Sequence, residues 1–159
     1  MRKILTLLFV CMVFLTACNK EQSVQKASQE VISLFPFGIH SLVDTETDIV
    51  SMEYLVKHAE DYKSELSEEN FVIVKGKITD IDVTDYSKED LSIMENKEAA
   101  ELLSNVVSYD FYIDNSTEPL TNNSDYLDLE ENKVYYFVVK VSEIASSYSY
   151  LIIEAVEIN

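Results

Sequence analysis

The stretch "NFVIVKGKITDIDV", residues 70–83, decides how the rest of the chain reads. Phe71 to Val74 is a run of aromatic and β-branched side chains, which suit a pleated surface better than a helix. After Gly76, apolar residues recur at Ile78, Ile81 and Val83. The step of three between 78 and 81 breaks the two-residue period of a strand. One extra residue, a bulge near Thr79 and Asp80, returns both isoleucines to one face. A glycine inside a strand marks tight curvature. The stretch is predicted as one long strand, bent by a glycine and a bulge, of the kind that closes a small β-barrel.

Upstream, "SMEYLVKHAEDYKSEL" (51–66) predicts a helix. Met52, Leu55, Ala59, Tyr62 and Leu66 fall at three- and four-residue steps, and acids and lysine occupy the other positions. Asp48 or Ser51 is the expected cap. His58 borders the stripe as a surface histidine, and His40 has no partner near it in sequence. Before the helix, "VISLFPFGIHSLV" (31–43) interleaves Phe35, Phe37, Ile39 and Leu42 with Pro36 and Gly38. The breakers prevent a regular helix, so an extended cover over the domain is expected.

Downstream, "SKEDLSIMENKEAAELLSNV" (87–106) predicts a helical insertion, opened by a Ser87/Asp90 capping box and broken near Asn96. "VVSYDFYIDN" places Val107, Tyr109, Phe111 and Ile113 on one face of a strand, and "NSTEPLTNNSD" (115–125) has the composition of a loop. A turn at Glu131-Asn132 leads into a strand from Val134 to Ile144. A second turn, around Ser146-Ser147, leads into the closing strand "SYLIIEAVEIN".

This order resembles an OB-fold, and more narrowly the tRNA anticodon-binding-like domains of bacterial lipoproteins. The matching residues are "EDYKSE" before "VIVKGKITDI", then "LDLEENKVYYFVVKV" and "YLIIEAVEI". The resemblance covers about residues 50–158. It implies a mainly β, α+β domain: a small five-stranded barrel with an N-terminal helix and a helical insertion after the first strand.

The chain opens "MRKILTLLFVCMVFLTAC", a short positive start, an apolar run and a small-residue exit, which is the layout of a secretory signal. The apolar run is shorter than the roughly 20 residues a membrane span needs. "LTAC" resembles the bacterial lipobox. The resemblance implies cleavage before Cys18, diacylglycerol on its sulfur and anchorage on the extracytoplasmic face of the cell membrane. Expected divisions are a signal peptide over 1–17, a flexible tether over 18–33 and one domain over 34–159. Losing residues 1–17 removes Arg2, Lys3 and Cys11 but none of the 29 acids, leaving 142 residues with a formal charge of −19. Cys18 is then the sole cysteine, so the thiol count speaks of attachment and not of a disulfide. The excess of Lys, Asn, Ile and Glu over Gly and Pro suggests an AT-rich genome, and a Gram-positive host is the expectation.

So acidic a chain is a poor partner for phosphate, since nucleic-acid binding needs clustered Lys and Arg. Lys75, Lys77, Lys133 and Lys140 are instead scattered among acids. An oligosaccharide or nucleic-acid site on an OB-type surface would need an aromatic platform. Its candidates are Tyr109, Tyr112, Tyr135, Tyr148 and Tyr150, one alternate set facing the core and the other the surface. Asp80, Asp82 and Asp85 in "TDIDVTD" are the candidates for a divalent cation, without the glycine and ligand spacing of a calcium loop. No nucleophile motif, phosphate loop or His/Cys cluster occurs, so neither an envelope enzyme nor a cofactor is expected. The remaining expectation is a lipid-anchored binding module for a protein or another envelope component.

Overall fold

The computed structural model describes residues 24–65, 69–85, 97, 107–122 and 127–158. The strands are β1 (Gln25–Lys26), β2 (Asp48–Val50), β3 (Phe71–Asp85), β4 (Val107–Ile113), β5 (Leu120–Asn122), β6 (Val134–Ile144) and β7 (Ser147–Glu157). The helices are α1 (Gln29–Ile32), α2 (Met52–Lys57) and α3 (Ala59–Tyr62), with a 3-10 turn over Phe37–Ser41. They build a mainly β molecule around one seven-stranded mixed sheet, ordered β1-β2-β3-β4-β5-β7-β6. Because β6 also pairs with β3, five strands close into a ring: β3, β4, β5, β7 and β6. The β2–β3 and β5–β7 pairs are parallel and the others antiparallel.

The ring depends on β3 changing partners halfway. Phe71 to Lys77 pairs with β6, and Ile78 to Asp85 pairs with β4. The register slips between Ile78 and Asp80, where the sequence predicts the bulge. Ile78 is fully buried and Ile81 packs on the same core, so the extra residue does restore the face. Thr79 stitches the bulge to the opposite strand, its hydroxyl donating to Tyr112 O at 3.0 Å and accepting from Asn115 N at 3.0 Å. Gly76 sits where β4 ends against β3: a Cβ there would lie 2.2 Å from Ile113 Cγ2. Close approach, rather than an unusual φ, requires the glycine.

Two apolar clusters hold the molecule. The larger fills the ring with Val72, Val74, Ile78, Phe111, Ile113, Leu120, Phe137 and Val139, closed by Met52, Leu55 and Ala59 from the helices. The smaller lies outside the ring, where Ile73 and Val138 meet Ala27, Ile32, Phe35, Val43 and Ile49. This double burial explains the apolar runs Val72-Ile73-Val74 and Phe137-Val138-Val139, which need no alternation because both faces leave water.

Residues 24–33, read from their polar composition as tether, are packed. Gln25 and Lys26 pair with Ile49 and Asp48. Ser28 caps α1 by accepting from Val31 N, and Ala27 and Ile32 are buried. Ala27 and Ile32, with the half-buried Val31, hold a segment whose remaining residues face solvent. The 31–43 stretch covers the domain as expected but is not extended: Val31 and Ile32 end α1, Phe37–Ser41 is a 3-10 turn, and Phe37 points outward.

The helix expected over 51–66 is two short ones. Ser51, not Asp48, caps α2, accepting from Tyr54 N at 3.1 Å. The helix stops at His58 (φ −119°, ψ 25°), whose ring stacks on Tyr54 with centroids 4.2 Å apart and lies 3.4 Å from Asp61. The stripe survives the break, since Met52, Leu55 and Ala59 remain buried and Tyr62 half-buried. A second correction falls on 115–125: Leu120–Asn122 is β5, with Leu120 and Asn122 buried. The Glu131-Asn132 turn stands as expected, Asn132 having φ 67°, and the last turn lies one residue earlier, at Ala145-Ser146. The predicted helical insertion over 87–106 falls outside the described residues, apart from Lys97.

Candidate functional site

The cover draws on β2, β6, β7 and the first half of β3. It takes no residue from β4 or β5, and the outer face there is a polar row. Alternation makes it so: Ile81, Phe111, Ile113 and Leu120 turn into the core, leaving Asp80 and Asp82 on β3, Asp110 and Tyr112 on β4, and Thr121 on β5 pointing away. The register sets Asp80 opposite Tyr112, Asp82 opposite Asp110, and Asp110 opposite Thr121.

Three carboxylates therefore surround one phenol. The Thr121 hydroxyl donates to Asp110 Oδ1 at 2.8 Å, and the Asp80 carboxylate accepts from Ile81 N at 3.0 Å. Partial burial, followed by the negative field of Asp82, Asp110 and Asp80, raises the Tyr112 phenol above its ordinary range. Carboxylates directly opposite one another, as Asp82 and Asp110 are, repel across the strands. The face accepts hydrogen bonds and positive charge, and it repels phosphate.

The remaining candidate residues disperse. Tyr135 and Tyr150 are 3% and 4% exposed and belong to the core. Tyr109 packs against that core and stacks on Phe111. Tyr148 also leans on it, its hydroxyl donating to Glu60. Of the five tyrosines proposed as a platform, Tyr112 alone lies on the polar row. Two of the three aspartates, Asp80 and Asp82, share that row; Asp85 is placed only by its pairing with Val107. Among the described residues no group of three or more His, Cys, Asp or Glu is arranged to hold a metal. His40 holds the cover in shape, its Nε2 donating to Phe35 O at 2.9 Å. Cys18 lies outside the described residues.

Sequence reasoning missed Asp110 and Thr121. Asp110 was within reach, because placing Tyr109 and Phe111 inward sends residue 110 outward. Thr121 was not, because three residues of strand in a polar stretch carry no period.

At one end of the ring a pocket of about 320 Å³ opens between the first turn of α2 and the β4–β5 turn. Met52, Val56 and Ile113 supply its apolar wall; Asn115, Ser116 and Thr117 its polar one. Ser116 is already engaged, its Oγ donating to Glu118 O and accepting from Ile113 N. A more polar hollow of about 400 Å³ lies by His40, Asp44, Glu46 and Glu69. Asp44 there is used locally, accepting from the backbone of Glu46 and Thr47. No helix among the described residues is long and apolar enough to cross a membrane. Comparison with models of protein families, with characterised proteins and with solved structures finds no match to this chain.

Proposed function

We propose that the chain is a lipid-anchored, extracytoplasmic binding module built on an OB-type barrel. The fold reading is supported by the ring order β3-β4-β5-β7-β6, by the parallel β5–β7 pair and by a long first strand that changes partners at a glycine and a bulge. Such five-stranded Greek-key barrels bind ligands on the face of their second and third strands, here β4 and β5. The observation that carries the binding reading is that this is the outer face the N-terminal cover leaves open. The anchoring reading rests on "LTAC" and the signal-like run before it.

The recognised species is a protein or another envelope component. Asp80, Asp82 and Asp110 favour a partner that presents positive charge or hydrogen-bond donors, and they disfavour nucleic acid. Two experiments test the two halves. Metabolic labelling with a palmitate analogue should mark the native chain and not a Cys18→Ala variant; equal labelling of both overturns the anchor. Crosslinking in intact cells should give adducts that Asp82→Lys with Asp110→Lys removes; an unchanged adduct pattern overturns the binding face.

A further inference from the structure

The cover ends in an apolar tip with nothing of the described chain upon it. Phe37 is 89% exposed and Leu34 46%, with Pro36 and Gly38 also exposed between and beside them. A phenylalanine in water at that level is uncommon, because large apolar side chains are usually buried. The tip is also held in shape. Phe35, between the two, turns inward and is 3% exposed, and His40 donates to its carbonyl. The His40 ring meets the Phe37 ring edge-on at 5.7 Å, and Ser41 Oγ donates to Gly38 O at 3.2 Å. The wedge is therefore formed before it meets anything, which lowers the ordering cost of contact.

We propose that this tip, Leu34 with Phe37, dips into the interfacial layer of the bilayer that holds the lipid on Cys18. The inference rests on the anchored reading above and deepens it. The length of chain before the cover argues for the occupant. Among the described residues the first one paired is Gln25, after Val24, and six peptide steps separate Val24 from Cys18. Fully extended, they span at most about 22 Å. The cover is thus kept within one short tether of the membrane surface, and its tip is the most apolar exposed feature of the segment that the tether enters. Among the described residues of this N-terminal segment there is no basic cluster: Lys26 is paired with Asp48, and Glu30, Asp44 and Glu46 are acidic. The contact is accordingly hydrophobic and not an attraction to anionic headgroups, and it sets orientation rather than affinity. With the tip in the interface, the cover faces the bilayer, and β4 and β5, which lie outside it, keep their polar row in water.

The chain contains no tryptophan, so one can be introduced as a reporter. The full chain, processed in its host and reconstituted into phosphatidylcholine vesicles, is compared as Phe37→Trp and as Ile144→Trp. Ile144 is also exposed, at 63%, but lies at the β6–β7 turn. Flotation of both with the vesicles is expected. So are a blue-shifted emission and a several-fold stronger quenching by brominated lipid for Phe37→Trp than for Ile144→Trp. Flotation with equal quenching at the two sites overturns the tip and leaves the anchor standing. Failure to float overturns the anchor and the tip together.

Discussion

Replacing Gly76 with alanine adds one methyl group at the junction where β3 leaves β6 for β4. A Cβ there lies 2.2 Å from Ile113 Cγ2 and 2.6 Å from Asp114 Oδ2, well inside contact. Ile113 is wholly buried and branched at Cβ, so it cannot rotate away without disturbing the ring core. Asp114 is exposed, but its Oδ1 accepts from Lys77 N at 3.1 Å and its own N–H donates to Lys77 O at 2.9 Å. Displacing the carboxylate loosens the junction itself. Overpacking of this kind costs about 1–3 kcal/mol. Gly76 is not in the left-handed region, so alanine recovers about 0.4–1 kcal/mol through the unfolded chain. The net expectation is a loss of about 1–2 kcal/mol, a fall in Tm of about 2–8 °C. Urea unfolding should show a lower midpoint at unchanged slope. Ile113→Ala removes the clashing Cγ2, at its own cost of about 2–5 kcal/mol. Adding Gly76→Ala to that background should then cost clearly less than it does alone, a coupling of about 1 kcal/mol. An equal cost in both backgrounds, or a Gly76→Ala protein as stable as the parent, would refute the close-approach argument.

The β6–β7 turn holds Ala145 and Ser146 at φ 50° and 69°, the geometry in which Asn-Gly is preferred. Ala145→Asn with Ser146→Gly should therefore raise stability by about 1–2 kcal/mol in the same urea titration. Burial, then the hydrogen bond from its hydroxyl to Asp48 Oδ2 at 2.9 Å, pushes the Tyr62 phenol well above its ordinary value. Above about pH 10 the unfolded chain releases this proton while the folded chain keeps it, so stability falls as pH rises. Tyr62→Phe should flatten part of that alkaline fall in Tm scans, while losing about 1 kcal/mol at neutral pH; an unaltered alkaline slope would count against the assignment. Asp82→Asn removes one of two carboxylates that face each other across β3 and β4. It should stabilise by up to about 1 kcal/mol at low salt and by less at high salt, with a Tyr112 phenol that titrates at lower pH.

What the sequence showed and what it hid divide along element length. Fifteen residues of β3 and eleven of β6 carry enough apolar periodicity to be read, including the slip at Thr79. The left-handed Asn132 was legible because few residues other than Gly and Asn settle there. β1, β2 and β5 have two or three residues each, too few for any period, and they exist through distant partners. Thr121 finds Leu151, and the buried Asn122 side chain donates to Ile152 O at 3.3 Å, a polar residue inside because a strand edge satisfies it. The tyrosines divide as their alternation requires: Tyr109 and Tyr135 fall on inward positions and spend their rings on the core, which leaves Tyr112 on the outer row.

The outer row of β3 links the fold to the candidate face. Outward from its start run Phe71 and Ile73, both in the cluster under the cover. Past the bulge the same side of the same strand carries Asp80, Asp82 and Thr84, all exposed. A carboxylate under the cover would need a partner to offset its desolvation, and Asp48 shows the requirement: Tyr62 donates to its Oδ2, and Lys26 lies 2.9 Å from its Oδ1 as a charge contact rather than a directed hydrogen bond. Asp82 is exposed and accepts from the Tyr112 hydroxyl, and Asp110 accepts from Thr121, but the two carboxylates still face one another as like charges across the strands. Packing accounts for the apolar half of β3, while the acidic half keeps like charges facing one another that packing does not require. Such a row gains from a positively charged or donor-rich surface opposite it, which is why the proposed binding reading is placed on β4 and β5 and not on the covered side.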